Sequence, residues 1–100
     1  MGQPISLEQS GIPNIFAPLK LTVGVIPVQV DMFNCSRMTI KSDANNTGNI
    51  YIGMKGVTVD TGFPIGPNEG LDFYINNSSK VWLVSDTAGQ TAYVGIEVFG

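Results

Sequence analysis

The sequence predicts an all-β protein: a single antiparallel β-sandwich, of jelly-roll or immunoglobulin-like type, with seven to eight short strands. Apolar and polar residues alternate over short runs, which is typical of strands with one buried face. Clusters of Gly, Asn, Asp and Pro separate these runs at intervals of roughly 8–12 residues. No run shows apolar residues at helical spacing. A chain of 100 residues corresponds to one domain.

The first 19 residues are predicted to form an extended N-terminal arm, and residues 20–100 the sandwich. Pro4, Pro13 and Pro18 remove backbone donors, which argues against a helix or a central strand here. The arm nevertheless carries five large apolar side chains, namely Ile5, Leu7, Ile12, Ile15 and Phe16. Such side chains need an apolar surface to cover them. We therefore expect them to form an interface, either with their own domain or with a neighbouring subunit.

Five strands are predicted in the first half of the sandwich. They are residues 21–25, 28–30, 36–42, 49–53 and 57–59. Pro27 separates the first two, since proline is tolerated in a strand only at an edge or a bulge. The third strand alternates most cleanly, and its pattern predicts that Met38 and Ile40 face inward.

The second half begins with a predicted loop over residues 62–70, which is rich in Gly and Pro. Three strands follow, at residues 71–76, 80–84 and 91–99. The last two carry apolar residues on both faces. This pattern predicts that they lie centrally in their sheets or against a partner.

The residue types indicate a non-enzymatic function without cofactor or metal. The chain has no His, which excludes the Ser-His-Asp and Cys-His nucleophilic systems and removes the commonest transition-metal ligand. It has no glycine-rich phosphate loop and no Asp-x-Asp-x-Asp cluster for Ca²⁺. Cys35 is the only cysteine, so it gives neither a disulfide nor metal-ligand spacing, and we expect a half-buried apolar role for it.

Charge and hydropathy narrow the range of partners. The net charge is −3 and the five basic residues are scattered, so no nucleic-acid partner is predicted. No apolar stretch reaches the ~20 residues that span a bilayer, and the start lacks the pattern of a secretion signal, so no membrane partner is predicted. Charged residues make up 13% of the chain, against about 25% on average. A surface so poor in charge is cheap to desolvate, which favours a domain packed in an assembly.

One motif suggests an active site as an alternative. Asp60-Thr61-Gly62 resembles the Asp-Thr-Gly of dimeric aspartic proteases, in which two aspartates share a proton. In that family Ala or Ser follows the motif, whereas Phe63 follows it here. The family also places its aspartate early in the chain, whereas 59 residues precede Asp60 in this sequence. The segment is more typical of a turn, because Asp and Gly are common turn residues.

Three aromatic residues are predicted to face away from the main apolar row of their strands: Tyr51, Tyr74 and Trp82. Together with Tyr93 they could form an aromatic platform for a sugar, which makes a carbohydrate-binding module the second functional alternative. The interpretation we favour is a second packed face or a subunit interface.

From about residue 46 the chain resembles small β-sandwich proteins of tailed-bacteriophage particles. The segments that carry this resemblance are Asn46-Thr47-Gly48-Asn49-Ile50-Tyr51-Ile52-Gly53, Gly56-Val57-Thr58, Thr61-Gly62-Phe63-Pro64-Ile65, Pro67-Asn68-Glu69-Gly70-Leu71, Lys80-Val81-Trp82-Leu83-Val84 and Gly89-Gln90-Thr91. The resemblance implies a virion structural protein assembled in the host cytoplasm. It implies a capsid decoration (cement) protein that binds and stabilises the head lattice, or else a tail or neck accessory protein. The expected partners are the major capsid protein or another virion structural protein, and further copies of the chain, with a trimer favoured.

Overall fold

The structure, a computed structural model, describes residues 15–98, with side chains from Pro18 onward. It confirms the predicted all-β sandwich, with eight strands in two antiparallel four-stranded sheets. The strands are β1 (Ile15–Val23), β2 (Val28–Gln29), β3 (Arg37–Ser42), β4 (Ile50–Gly53), β5 (Phe63–Ile65), β6 (Gly70–Tyr74), β7 (Trp82–Ser85) and β8 (Gln90–Val98). A 3₁₀ turn at Ser78–Lys80 precedes β7.

The strand order is that of a jelly roll. The first sheet has the order β1-β8-β3-β6 and the second the order β2-β7-β4-β5. Strands therefore pair one with eight, two with seven, three with six and four with five. This is the pattern of one long antiparallel hairpin wrapped into a double sheet. Of the two sandwich types that the sequence left open, the order selects the jelly roll.

The core lies between the two sheets and consists of the residues of each strand that face inward. Its buried apolar residues include Val23, Met38, Ile40, Ile50, Ile52, Leu83, Ala92, Val94 and Ile96. Met38 and Ile40 face inward, as their pattern predicted. Full burial of each large apolar side chain contributes about 1.5–3 kcal/mol, so this row is the main source of stability.

The two strands with apolar residues on both faces are central, as predicted. β7 lies between β2 and β4, and β8 lies between β1 and β3. Both faces of a central strand are covered more fully than those of an edge strand, which explains their composition.

Two local predictions differ from the structure. Residues 57–59 do not form a strand, because Val57 packs its side chain onto the outer face of the second sheet instead of joining the sheet. β5 was predicted as part of a loop, but it pairs with β4 along the edge of the second sheet. Pro64 is tolerated there because an edge strand has one side without ladder hydrogen bonds.

The predicted arm overlaps the sandwich. Residues 15–19 form the first half of β1 and pair with β8, from Ile15 opposite Val98 to Leu19 opposite Val94. Pro18 lies opposite Gly95 in this edge strand, where a missing donor is tolerated. The sandwich therefore starts at least five residues before the predicted boundary at residue 20. The predicted interface residues Ile5, Leu7 and Ile12 lie outside the described residues.

Polar side chains fasten the turns at one end of the sandwich to β8. The buried Gln90 accepts hydrogen bonds from the backbone amides of Thr47 and Gly48, at 2.8 and 2.9 Å. Its own amide donates to the carbonyl of Ala88 at 3.0 Å. Asn46 donates to the carbonyl of Thr91 and accepts from the amide of the same residue. These bonds satisfy backbone groups of the turns that the strand ladders leave unpaired.

Candidate binding surfaces

The two outer faces of the sandwich differ in charge. The strands of the second sheet contain no charged residue. The strands of the first sheet carry five, which are Lys20, Arg37, Lys41, Asp72 and Glu97. All five alternate with inward-facing residues and therefore lie on the outer face. The outer face of the second sheet is the one that a protein partner can desolvate at lower cost.

A loop covers part of the outer face of the second sheet. This covering loop, residues 54–62, connects β4 to β5 and buries Val57 to 5% exposure. It approaches the sheet where side chains are missing. A Cβ on Gly53 would lie 2.5 Å from Cγ2 of Val57, and one on Gly62 would lie 2.7 Å from Cβ of Tyr51. The two glycines therefore let the loop lie directly on β4.

An apolar groove of about 330 Å³ runs between the covering loop and the β1–β2 turn. We call it the valine groove, and its lining residues are Val25, Pro27, Val57, Thr58, Val59, Val84, Ser85 and Asp86. Its rim is exposed: Val25 is 62% and Val59 is 40% accessible, and the adjacent Ile26 is 76% accessible. Exposed apolar residues scattered singly are ordinary, but residues grouped around one groove indicate an interaction site.

A second groove lies on the outer face of the first sheet. We call it the Gly95 groove; it measures about 300 Å³ and is lined by Pro18, Thr39, Lys41, Tyr93, Val94, Gly95 and Glu97. The register explains it, because Gly95 lies between Pro18 on β1 and Thr39 on β3. These three neighbours have no side chain or a short one, so they leave a depression between the longer side chains that flank them on the outer face, such as Tyr93 and Lys41.

An ion pair borders one end of the Gly95 groove. Nε and Nη2 of Arg37 donate to the two carboxylate oxygens of Glu97 at 3.1 and 3.2 Å. Glu97 is only 6% exposed, so the guanidinium is what balances its charge. The hydrogen bond to Glu97 raises the pKa of Arg37 above its usual value, so Arg37 remains a cation at every ordinary pH.

The structure separates the aromatic residues that were predicted as one platform. Tyr51 and Trp82 lie on the outer face of the second sheet, where Tyr51 pairs with Val84 and Trp82 with Gly53. Tyr74 and Tyr93 belong to β6 and β8 of the first sheet. The prediction of a single aromatic platform is therefore wrong. Alternation along a strand shows that a residue points outward, but it does not show to which of the two sheets the strand belongs.

The remaining predicted interface residues differ in their settings. Tyr51 is half-buried, and its hydroxyl donates to the carboxylate of Asp86 at 3.5 Å. Trp82 is also half-buried, whereas Tyr74 is 81% exposed. In β1, the backbones of Ile15 and Phe16 pair with Val98 and Glu97.

Asp60 lies in an exposed turn, as its sequence context predicted. The backbone amide of Asp60 donates to Oγ1 of Thr58 at 3.2 Å, and Oγ1 of Thr61 accepts from the amide of Thr58 at 2.9 Å. Such bonds between hydroxyls and nearby amides are typical of turns. Within residues 15–98, no three acidic or Cys side chains come together in a way that could hold a metal ion.

Neither groove was predicted from the sequence. Val25-Ile26-Pro27 carried a signal, because two large apolar residues at a turn beside a proline have no core position to fill. Gly95 in the middle of a strand also carried one, since glycine inside a strand often marks a close approach or a ligand. The valine groove forms only where the covering loop lies beside the β1–β2 turn, and no local sequence pattern predicts that the two segments meet.

The chain is a jelly-roll β-sandwich protein in which the strands of one sheet carry charged residues and the strands of the other carry none. No known family model matches it, and no curated protein does. Among solved structures it is similar to IMPa from Pseudomonas aeruginosa, determined in complex with an O-glycopeptide, with a TM-score of 0.55 and 14% identity. The match covers 90% of this chain and only 13% of IMPa, so the chain corresponds to a small part of that protein. At this identity the likeness concerns the fold alone. None of the helices in the described part is long and apolar enough to cross a membrane.

Proposed function

We propose that this chain is a non-enzymatic structural protein of a tailed-phage particle: a capsid decoration protein that binds the head lattice and stabilises it. The observation that carries the proposal is the outer face of the second sheet. Its strands have no charged residue, and it opens into the valine groove with an exposed apolar rim. We assign this face to the major capsid protein.

The energetics favour docking at this face. Val25, Ile26 and Val59 are between 40% and 76% exposed, so a partner can still cover a substantial part of their apolar surface. Complete burial of one such side chain is worth about 1.5–3 kcal/mol before the costs of ordering and association are subtracted. The exposed parts of these three side chains contribute a few kcal/mol per copy before those costs are subtracted. Repeated copies on one lattice, and a trimeric state, multiply this contribution by avidity.

Two further observations support a virion role. The succession of segments from residue 46 onward resembles small proteins of tailed-phage particles. The jelly roll is also a fold that viral capsid proteins use. Both are compatible with a tail or neck accessory protein, whose partner would differ while the docking face stays the same.

The test is binding to undecorated heads of the phage that encodes the chain. The purified full chain is mixed with these heads, and co-sedimentation and the temperature of DNA release are measured. We expect saturable binding, a higher release temperature, and a trimer in light scattering. The double variant V25S/I26S should lose binding while keeping its fold, because both side chains are exposed.

Met32→Ser is the matched control, since Met32 is 72% exposed but lies in the β2–β3 loop, outside the valine groove. It should bind heads like the original chain. Binding to purified tails but not to heads would replace decoration by the accessory role. A chain that binds neither particle, or a V25S/I26S variant that binds as well as the control, contradicts the proposal.

A further inference from the structure

We propose that the Gly95 groove is a binding site for an acidic sugar residue, such as a uronic or sialic acid within a glycan. This inference is independent of the virion role, because it uses the opposite face of the sandwich. It rests on the shape of the groove, one exposed aromatic ring and the arrangement of charges around it.

The shape fits a single sugar ring. The floor is the low row of Pro18, Gly95 and Thr39, which run side by side across three adjacent strands. At about 300 Å³ the groove is at the lower end of the range for small-ligand sites. It is built on paired strands, so its floor is rigid and little ordering cost attends binding.

Tyr93 supplies an apolar wall. It lines the groove and is 41% exposed, so its ring is accessible along one side. A sugar ring has apolar C–H groups on one face and hydroxyls at its rim. An exposed aromatic ring beside hydrogen-bonding groups matches both features. Thr39 also lines the groove, and its hydroxyl can form hydrogen bonds with the hydroxyls of the sugar.

The charges favour an anion. Tyr93 is flanked by Lys20 on β1 and Lys41 on β3, both exposed and both on the outer face. The acidic residue that lines the groove, Glu97, is buried and already paired with Arg37. The Tyr93 end of the groove therefore has an excess of positive charge, and a carboxylate that binds there gains charge-assisted hydrogen bonds.

The experiment is a titration of the full chain with three probes: a hyaluronan tetrasaccharide, 3′-sialyllactose and neutral lactose. Backbone amide shifts are recorded by NMR, and affinity is measured by calorimetry. We expect at least one acidic probe to shift the amides of Thr39, Tyr93 and Gly95, with binding that weakens as salt is added. Lactose should bind at least about tenfold more weakly, which corresponds to the loss of one charged contact.

Two variants and two controls locate the site. Tyr93→Ala and Lys41→Gln should each weaken the acidic probe by about tenfold, and both positions are exposed enough to leave the fold intact. Tyr74→Ala, on the same sheet but outside the groove, and Lys55→Gln, on the covering loop, should bind normally. No binding of either acidic probe at millimolar concentration, equal affinity for lactose, or an equal loss in the two controls overturns the proposal.

Discussion

At the residue scale, Gln90 shows how one buried amide holds two turns. Its side chain is 3% exposed and bonds to backbone groups of Thr47, Gly48 and Ala88. We predict that Gln90→Ala lowers the free energy of unfolding by about 1–3 kcal/mol, because two backbone amides lose their acceptor in a partly buried site. Urea unfolding followed by circular dichroism measures this loss.

Gln29→Ala is the control for Gln90→Ala. Gln29 is exposed and makes a hydrogen bond to the carbonyl of Ser79 at 2.8 Å. Water replaces that bond when the side chain is removed, so we expect a change below about 0.5 kcal/mol. Equal losses in the two variants would show that the buried amide is not what fastens the turns.

Cys35 gives a prediction about pH. Burial raises the pKa of its thiol above the ordinary value, and Sγ also donates to the carbonyl of Ile75 at 3.2 Å. The folded state thus favours the protonated thiol. Its contribution to stability is fully present below the pKa of the unfolded chain and is lost as pH rises through the folded pKa. We expect iodoacetamide to modify Cys35 more slowly in the folded chain than in urea at about pH 8.

Cys35→Ser is the background control for this alkylation, since it leaves no thiol in the chain. The difference between the folded and the unfolded chain should shrink as pH rises further, because both forms become thiolate. Equal rates at the lower pH would contradict a raised pKa in the folded state.

At the element scale, the covering loop depends on two glycines. We predict that Gly53→Ala and Gly62→Ala each destabilise the protein by about 1–3 kcal/mol, because each new Cβ would overlap Val57 or Tyr51. Thermal unfolding measures the loss. Gly24→Ala is the matched control, since its Cβ would meet nothing nearer than Cα of Ala88 at 3.8 Å. That variant should be neutral or slightly more stable; a loss as large as those of the other two would contradict the role assigned to the loop.

Most strands could be predicted because alternation is a local property. In β3 the inward positions of Met38 and Ile40 were assigned from sequence alone, and β8 was expected to be central because both of its faces carry apolar residues. β5 could not be predicted, because a three-residue strand that contains Pro64 has the composition of a loop. The predicted strand at residues 57–59 was wrong for a related reason. Val57 is buried against the outer face of the second sheet without strand pairing, and a buried apolar residue looks the same in the sequence whether or not its backbone is paired.

The binding surfaces were less predictable than the strands. The valine groove joins Val25 to Val59, which are far apart in sequence and meet only when the covering loop lies on the sheet. The difference in charge between the outer faces follows from the strand order, which decides that Lys20, Lys41 and Asp72 share one sheet. Local patterns contain no information about that order.

At the scale of the whole molecule, the first and last strands complete the same sheet. We predict that deletion of residues 1–14 leaves the jelly roll intact, because no described strand is lost. Deletion of residues 1–23 removes β1, which uncovers one edge of the long central strand β8 and removes the buried Val23. An uncovered strand edge promotes aggregation, so we expect an insoluble or non-cooperatively unfolding product.

Solubility, circular dichroism and thermal unfolding of the two truncated chains test this prediction. A cooperative transition in the shorter chain would show that β1 is dispensable. Loss of folding on deletion of residues 1–14 would instead show that the segment before β1 is part of the folding unit. A truncation that separates the arm from the sandwich has to end before Ile15 rather than at residue 19, where the arm was predicted to end.

The pairing of Ile15 with Val98 brings the two ends of the described chain next to each other, about 5 Å apart on neighbouring strands. The polypeptide chain therefore enters β1 and leaves β8 at the same end of the first sheet. The spacing of the two strand ends matches that across a hairpin turn, so a larger host protein could carry residues 15–98 in a surface turn without stretching its own backbone.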